Sequence, residues 1–186
     1  MSDAIAVLNA GSSSIKFSLF ELRGQQLELA LRGQIEGIYT APHFVAYNPA
    51  GKLQTEKSWD KGAQLDHAGA LDHLVAYVRA HLGGDRLIGV GHRVVHGGLE
   101  YTQPVRLSAS VLQALEQYVP LAPLHQPHNL APIRLLLQRQ PDLPQVACFD
   151  TSYHRSNPEI AQMFALPAAL HAQGIRRYGF HGLSYE

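Results

Sequence analysis

Five short stretches of the sequence carry side chains that could do chemistry. The first is Asn9-Ala-Gly-Ser-Ser-Ser-Ile-Lys16. Glycine and serine let backbone N–H groups and hydroxyls approach a phosphate, and lysine adds positive charge. The P-loop pattern, in which the lysine opens a helix, is absent. Lys16 instead enters an alternating run through Ile15, Phe17 and Leu19. The stretch is therefore a hairpin turn, either facing a phosphate or a plain Ser/Gly turn. The second is Gly91-His-Arg-Val-Val-His-Gly-Gly98. On a strand rising about 3.3 Å per residue, His92 and His96 stand roughly 13 Å apart, too far to share one ion. Arg93 ends a buried apolar run and needs an anion, either a ligand or an acidic side chain.

The third stretch is Leu121-Ala-Pro-Leu-His-Gln-Pro-His-Asn129. Its prolines fix the backbone and present His125 and His128 rigidly. One can touch substrate while the other holds the loop, or both are structural hydrogen bonders. The fourth, Val146-Ala-Cys-Phe-Asp-Thr151, puts Asp150 at the carboxyl end of a buried strand, where α/β sheets bind ligands. An aspartate beside phosphates positions Mg²⁺; the alternative is a cap on Ser152-Tyr153. Cys148 is core. The fifth, Arg176-Arg-Tyr-Gly-Phe-His-Gly-Leu-Ser184, sets His181 between Gly179 and Gly182. A histidine there can donate to a transferring phosphoryl group, or it is a turn histidine. Taken together, the set is the inventory of phosphoryl transfer by positioning and charge neutralisation.

The elements that must hold these residues follow from periodicity. Ile5–Leu8 and Ile15–Leu22 form the strands of the hairpin, and Leu27–Ile38 adds another strand. Thr40–Lys61 predicts turns and edge strands. Leu71, Leu74, Val75, Val78 and Leu82 recur at helical spacing over Asp66–Leu82, stopped by Gly83-Gly84. Leu87–Val95 and Val146–Phe149 are buried strands. Ser108 caps a helix to Tyr118, and Asn129 caps one running to about Gln140. Pro158–Phe164 predicts a short helix and Arg176–Phe180 a strand. Strands alternating with helices give the α/β class.

The composition bounds partners and compartment. The 186 residues carry 15 Lys+Arg against 15 Asp+Glu, a balance that predicts neither nucleic acid nor an acidic membrane as partner. One cysteine cannot pair within the chain and favours a reducing, cytoplasmic setting. The start, Met1-Ser2-Asp3-Ala4, shows no signal peptide, and no run approaches the roughly 20 apolar residues of a membrane helix.

In their order, the five motifs resemble those of the acetate kinase family. Membership implies the acetate and sugar kinase/Hsp70/actin superfamily. The expected fold is a ribonuclease-H-like (actin-like ATPase) domain: a mixed sheet beginning in a β-hairpin, with helices on both faces. The implied reaction moves the γ-phosphoryl group of ATP to acetate, reversibly, with Mg²⁺ or Mn²⁺, giving acetyl phosphate. By the same resemblance, Asn9 and Asp150 serve the metal, Asp150 directly or through water. Ser12, Ser14 and Lys16 line the phosphate side. Arg93 holds the acetate carboxylate, and His181 and His125 serve the phosphoryl group. Val95, Leu124 and Phe180 form the methyl pocket.

The sequence departs from the family pattern at Leu183 and Tyr185, where threonine and histidine are usual, and at Gln126, where asparagine is common. Residues 1–186 are then expected to be the N-terminal domain of a two-domain kinase, inactive alone, whose full-length form is a homodimer mainly through the other domain. Two alternatives stay open: a propionate or butyrate kinase, and a non-catalytic nucleotide-binding module.

Overall fold

Alternation builds the sheet as expected. In the computed structural model, which describes residues 2–60 and 62–185, β1 (Asp3–Ala10) and β2 (Ser14–Arg23) pair antiparallel, with Asn9 opposite Lys16. The Gly11 N–H donates to the Ser14 carbonyl at 2.8 Å and closes the turn. β3 (Gln26–Glu36), β4 (His43–Tyr47) and β5 (Leu53–Ser58) extend the meander. β6 (Arg86–Val94) runs parallel to β1, and β8 (Gln145–Phe149) parallel to β6. β7 (Val105–Arg106) closes the edge antiparallel to β8. The resulting mixed sheet has the order β5-β4-β3-β2-β1-β6-β8-β7.

Capping side chains fix the helix starts. α1 (His67–His81) is capped by Asp66, whose carboxylate accepts from the Gly69 N–H at 2.8 Å. α2 (Ala109–Glu116) is capped by Ser108, as predicted. α1 and α3 (Gln126–Arg139) lie on the sheet face that carries Ala6, Leu8, Phe17 and Val90, burying Leu71, Leu74 and Leu136. α2 packs on α3 over Val94, Ala147 and Phe149. Each such leucine withdrawn from water contributes roughly 2 kcal/mol before entropy is charged against it. The short 3₁₀ turns Tyr153–Ser156 and Gly182–Ser184 lie beside Cys148 on β8, away from the face that α1 and α3 cover.

Four boundaries differ from expectation. β4 is an interior strand, with Phe44 and Ala46 fully buried; Pro42 and the Asn48–Gly51 turn leave too short an alternation to show this. α3 begins at Gln126 with Pro127 in its first turn, so Asn129 lies inside the helix and caps nothing. Pro158–Phe164 condenses to α4 (Glu159–Gln162), and α5 (Ala168–Ala172) follows it. Arg176–Phe180 forms no strand. Its backbone is held instead by local bonds, such as the Arg177 N–H to the Gln162 carbonyl at 2.8 Å.

Candidate active site

Parallel pairing gathers the strand ends. The β1/β6 register sets Leu8 beside His92, and the β6/β8 register sets Val94 beside Phe149. Asn9, Arg93 and Asp150 therefore emerge at one edge. The Arg93 guanidinium donates from Nε and Nη2 to the two Asp150 oxygens at 2.9 and 2.5 Å, and from Nη1 to Asn9 Oδ1 at 3.2 Å. Asp150 is 1% exposed, whereas the Arg93 side chain keeps 30% of its surface open. The pair thus neutralises the buried carboxylate and still offers guanidinium surface to the outside.

The His181 loop is docked on the same aspartate. The Gly182 N–H donates to the Asp150 carbonyl at 2.9 Å, and a Cβ at Gly182 would run into that oxygen. His181 itself is left-handed (φ 59°), an uncommon state for a non-glycine residue. One turn away, the His154 ring Nε2–H donates to the Phe180 carbonyl at 2.8 Å, and a Cβ at Gly179 would strike that ring. Gly182→Ala is expected to destabilise the chain by about 1–3 kcal/mol, read from urea denaturation, because neither the carbonyl nor Tyr153 can retreat without moving the β8 end.

Arg93, Val95, Leu124, His125, Asp150, Phe180 and His181 line one open cleft of about 550 Å³. Seven of the eleven residues singled out in the sequence thus share one wall, and Asn9 reaches it through Arg93. Ser12, Ser14 and Lys16 do not line it. Ser12 and Lys16 are exposed, and Lys16 borders a separate depression with Arg32 and Gln34. His92 and His96 have separate partners: His92 Nε2–H donates to Gln145 Oε1, and His96 Nδ1 accepts from the Gly98 N–H, each at 2.9 Å. Among the described residues, no group of three or more His, Cys, Asp or Glu could hold a metal. Asp150 does not cap the following turn, where Ser152 Oγ–H donates to the Phe149 carbonyl.

Three buried side chains that sequence reasoning missed hold the cleft's floor. Asn129 Oδ1 accepts from the Val95 N–H at 2.9 Å, while its Nδ2 donates to the Ala10 carbonyl at 2.5 Å. Gln126 Oε1 accepts from the His96 N–H, its Nε2 donates to the His96 and Leu115 carbonyls, and Thr151 Oγ1 accepts from the Gly97 N–H. The backbone leaving β6 is thereby clipped from α3 and β8. The signal available in the sequence was the polar pair Gln126 and Asn129 flanking a proline inside an otherwise apolar helix face.

Known proteins share the sequence and fold of this chain. The Rhizobium meliloti acetate kinase is 48% identical over 184 residues, covering 99% of this chain and 47% of that protein. The acetate kinase of Rhodopseudomonas palustris strain ATCC BAA-98 / CGA009 is 46% identical over 188 residues, covering 100% and 47%. Among solved structures, Porphyromonas gingivalis acetate kinase superposes with a TM-score of 0.85 at 30% identity, covering 99% of this chain and 46% of that one. A Francisella tularensis propionate kinase gives 0.83 at 34% identity, covering 100% and 46%. These neighbours have the actin-like ATPase fold that the sequence predicts. The chain spans about half the length of the curated relatives it matches. The model of the acetokinase family matches residues 4–186, and the chain belongs to that family.

Proposed function

We propose that residues 1–186 form the N-terminal domain of an acetate kinase and supply one wall of its cleft. The observation that carries this reading is the convergence of Arg93, His125 and His181 with the apolar Val95, Leu124 and Phe180 around one opening. Acetate is ionised at pH 7, so attack on the γ-phosphorus of ATP needs no general base. The difficulty is bringing two anions into line, and cations and hydrogen-bond donors overcome it. Arg93 holds the carboxylate. His181 and His125 donate to the phosphoryl oxygens. Val95, Leu124 and Phe180 enclose the methyl group. Ser12 and Ser14 face the remaining phosphates from the turn beside Asn9, and Lys16, which borders a separate depression, adds positive charge from β2 rather than from the cleft wall.

The residues present fit Mg²⁺. Asn9 and Asp150 converge their side-chain oxygens at the cleft, where they accept from the Arg93 guanidinium, and magnesium takes oxygen ligands completed by water and phosphate, so these residues would hold it beside Arg93, directly or through water. Bound there, it would neutralise phosphate charge. The homodimer and the cytoplasmic setting belong to the same proposal, as does the absence of nucleic-acid or membrane partners. The zero net charge supports it, and no described helix is long and apolar enough to cross a membrane.

The test is hydroxamate formation from acetate and MgATP by the protein encoded in the reading frame that holds this chain. Activity is expected there and none from the 186 residues alone, which span about half the length of the curated acetate kinases they match. A stop codon directly after Glu186 would favour the non-catalytic module instead. The structural likeness to a propionate kinase keeps a second acceptor in view. Val95 is buried and lines the cleft, and the proposal gives it the acceptor's tail to contact. Acetate is therefore expected to react about tenfold faster than propionate at low concentration, the discrimination typical of one methylene. Equal rates would remove that role from Val95.

A further inference from the structure

Outside the cleft, one buried side chain grips the Gly11–Ser14 turn. His67, the first residue of α1, is 6% exposed. Its Nε2 lies 2.7 Å from the Gly11 carbonyl and its Nδ1 lies 3.1 Å from the Tyr39 hydroxyl. A carbonyl only accepts, so Nε2 carries the proton and Nδ1 accepts from the Tyr39 O–H; one neutral tautomer satisfies both. Tyr39 holds its place in a left-handed conformation (φ 71°), with its N–H donating to the Leu65 carbonyl at 3.0 Å. A bulky residue in that region is over-determined by its surroundings, and such positions cluster at functional sites. The preceding Ile38 N–H donates to the Ser13 carbonyl at 3.0 Å. Two carbonyls of the turn are therefore drawn back, one by α1 and one by the end of β3. Among the described residues, neither the N–H nor the hydroxyl of Ser12 or Ser13 has a hydrogen-bond partner. The His67 ring also stacks on His128, at 5.2 Å and 21°, three residues beyond His125.

We propose that His67, oriented by Tyr39, is a positioning residue that presets this turn for nucleotide phosphate. The proposal rests on the phosphate-side reading of the turn given above. Carbonyl oxygens facing a phosphate would repel it. Tying Gly11 and Ser13 back leaves the free N–H and hydroxyl groups of Ser12 and Ser13 to meet the anion, with no reorganisation at binding.

Two measurements test it. In the ligand-free chain, ¹⁵N NMR should show His67 as the Nε2–H tautomer. His67→Ala should speed exchange of the Gly11 amide, and His67→Gln, whose amide can still reach the Gly11 carbonyl, should restore it. In the enzyme, His67→Ala should raise KM for ATP about tenfold, the usual loss on removing a residue that orients a ligand-binding group, while KM for acetate stays within about twofold. Tyr39→Phe, which removes only the hydroxyl oxygen, should keep the Nε2–H tautomer, because the Gly11 carbonyl still accepts from it, yet loosen the ring at Nδ1, speed Gly11 amide exchange less than His67→Ala does and raise KM for ATP less; it keeps the test sharp if His67→Ala does not fold. Unchanged Gly11 exchange in His67→Ala, or an Nδ1–H tautomer in the wild type, overturns the clamp. A KM for ATP that does not move overturns its link to phosphate. Absence of acetate-dependent ATP turnover in the wild type would overturn the proposed function instead, and the NMR results would still decide the clamp.

Discussion

Arg93→Ala is expected to lower acetate-dependent turnover of the enzyme by at least about 10³-fold, the scale seen when an arginine that stabilises phosphoryl-transfer charge is removed. Among the described residues, Arg93 is the one lysine or arginine lining the cleft, so no described cation beside it replaces its charge. The substitution also leaves Asp150, 1% exposed, without its bidentate partner. An uncompensated buried carboxylate is costly, so part of any loss could come from unfolding. Two further variants separate the effects. Arg93→Lys keeps the charge but cannot make both contacts with Asp150; it should melt close to wild type yet remain severely impaired. Arg93→Ala combined with Asp150→Asn removes both charges and should recover stability without activity. Hydroxamate assays paired with thermal melts read the outcome. Turnover within tenfold of wild type in Arg93→Ala would remove the arginine from the mechanism.

The Arg93–Asp150 pair also shows how sequence and structure divide the information. The residues allowed Arg93 either a ligand or a structural carboxylate, as if these excluded one another. The carboxylate it meets is Asp150, itself predicted as a site residue from its place at a strand end. Both are legible because the sites of α/β sheets sit at strand ends, and strand ends show in local patterns. The hairpin and α1 are legible for the same reason: alternation, the Gly/Ser turn and the Asp66 cap act over a few residues. Asn129, Gln126 and His67 escape that logic. Their side chains bind backbone 11 to 119 residues away, and no period or spacing encodes such bonds. Asn129 has the residue type of a helix cap, but Pro127 starts α3 a turn earlier and turns the amide toward β1 and β6. Arg176–Phe180 has the residue types of a strand and no free ladder to join. Lys16 lies in β2 as its alternating neighbours predict, yet the same alternation turns it away from buried Ile15 and Phe17 and outside the cleft.

Mild acid is expected to destabilise the chain through a histidine that does no chemistry. His92 is 2% exposed within β6, and its neutral ring donates to Gln145 Oε1. Burial pushes its pKa down from 6.5 to about 4, and the bond to Gln145 only partly offsets this. The unfolded chain therefore takes up a proton between those values that the folded chain refuses. The stabilising contribution is complete above pH 6.5 and is lost as the pH falls toward 4. At pH 4.5 the loss from His92 comes to about 2–3 kcal/mol, a large part of the 5–15 kcal/mol typical of a domain. Burial also lowers His96, His73 and His128, so these add in the same direction. His92→Gln keeps a donor for Gln145 and cannot titrate. Urea denaturation at pH 7 and pH 4.5 should show the stability difference shrinking by about 2 kcal/mol in that variant, with the remainder left by the other histidines and the carboxylates. An equal pH dependence in the two proteins would show that His92 is solvated or already charged in the folded chain, contrary to its burial between β1 and β8.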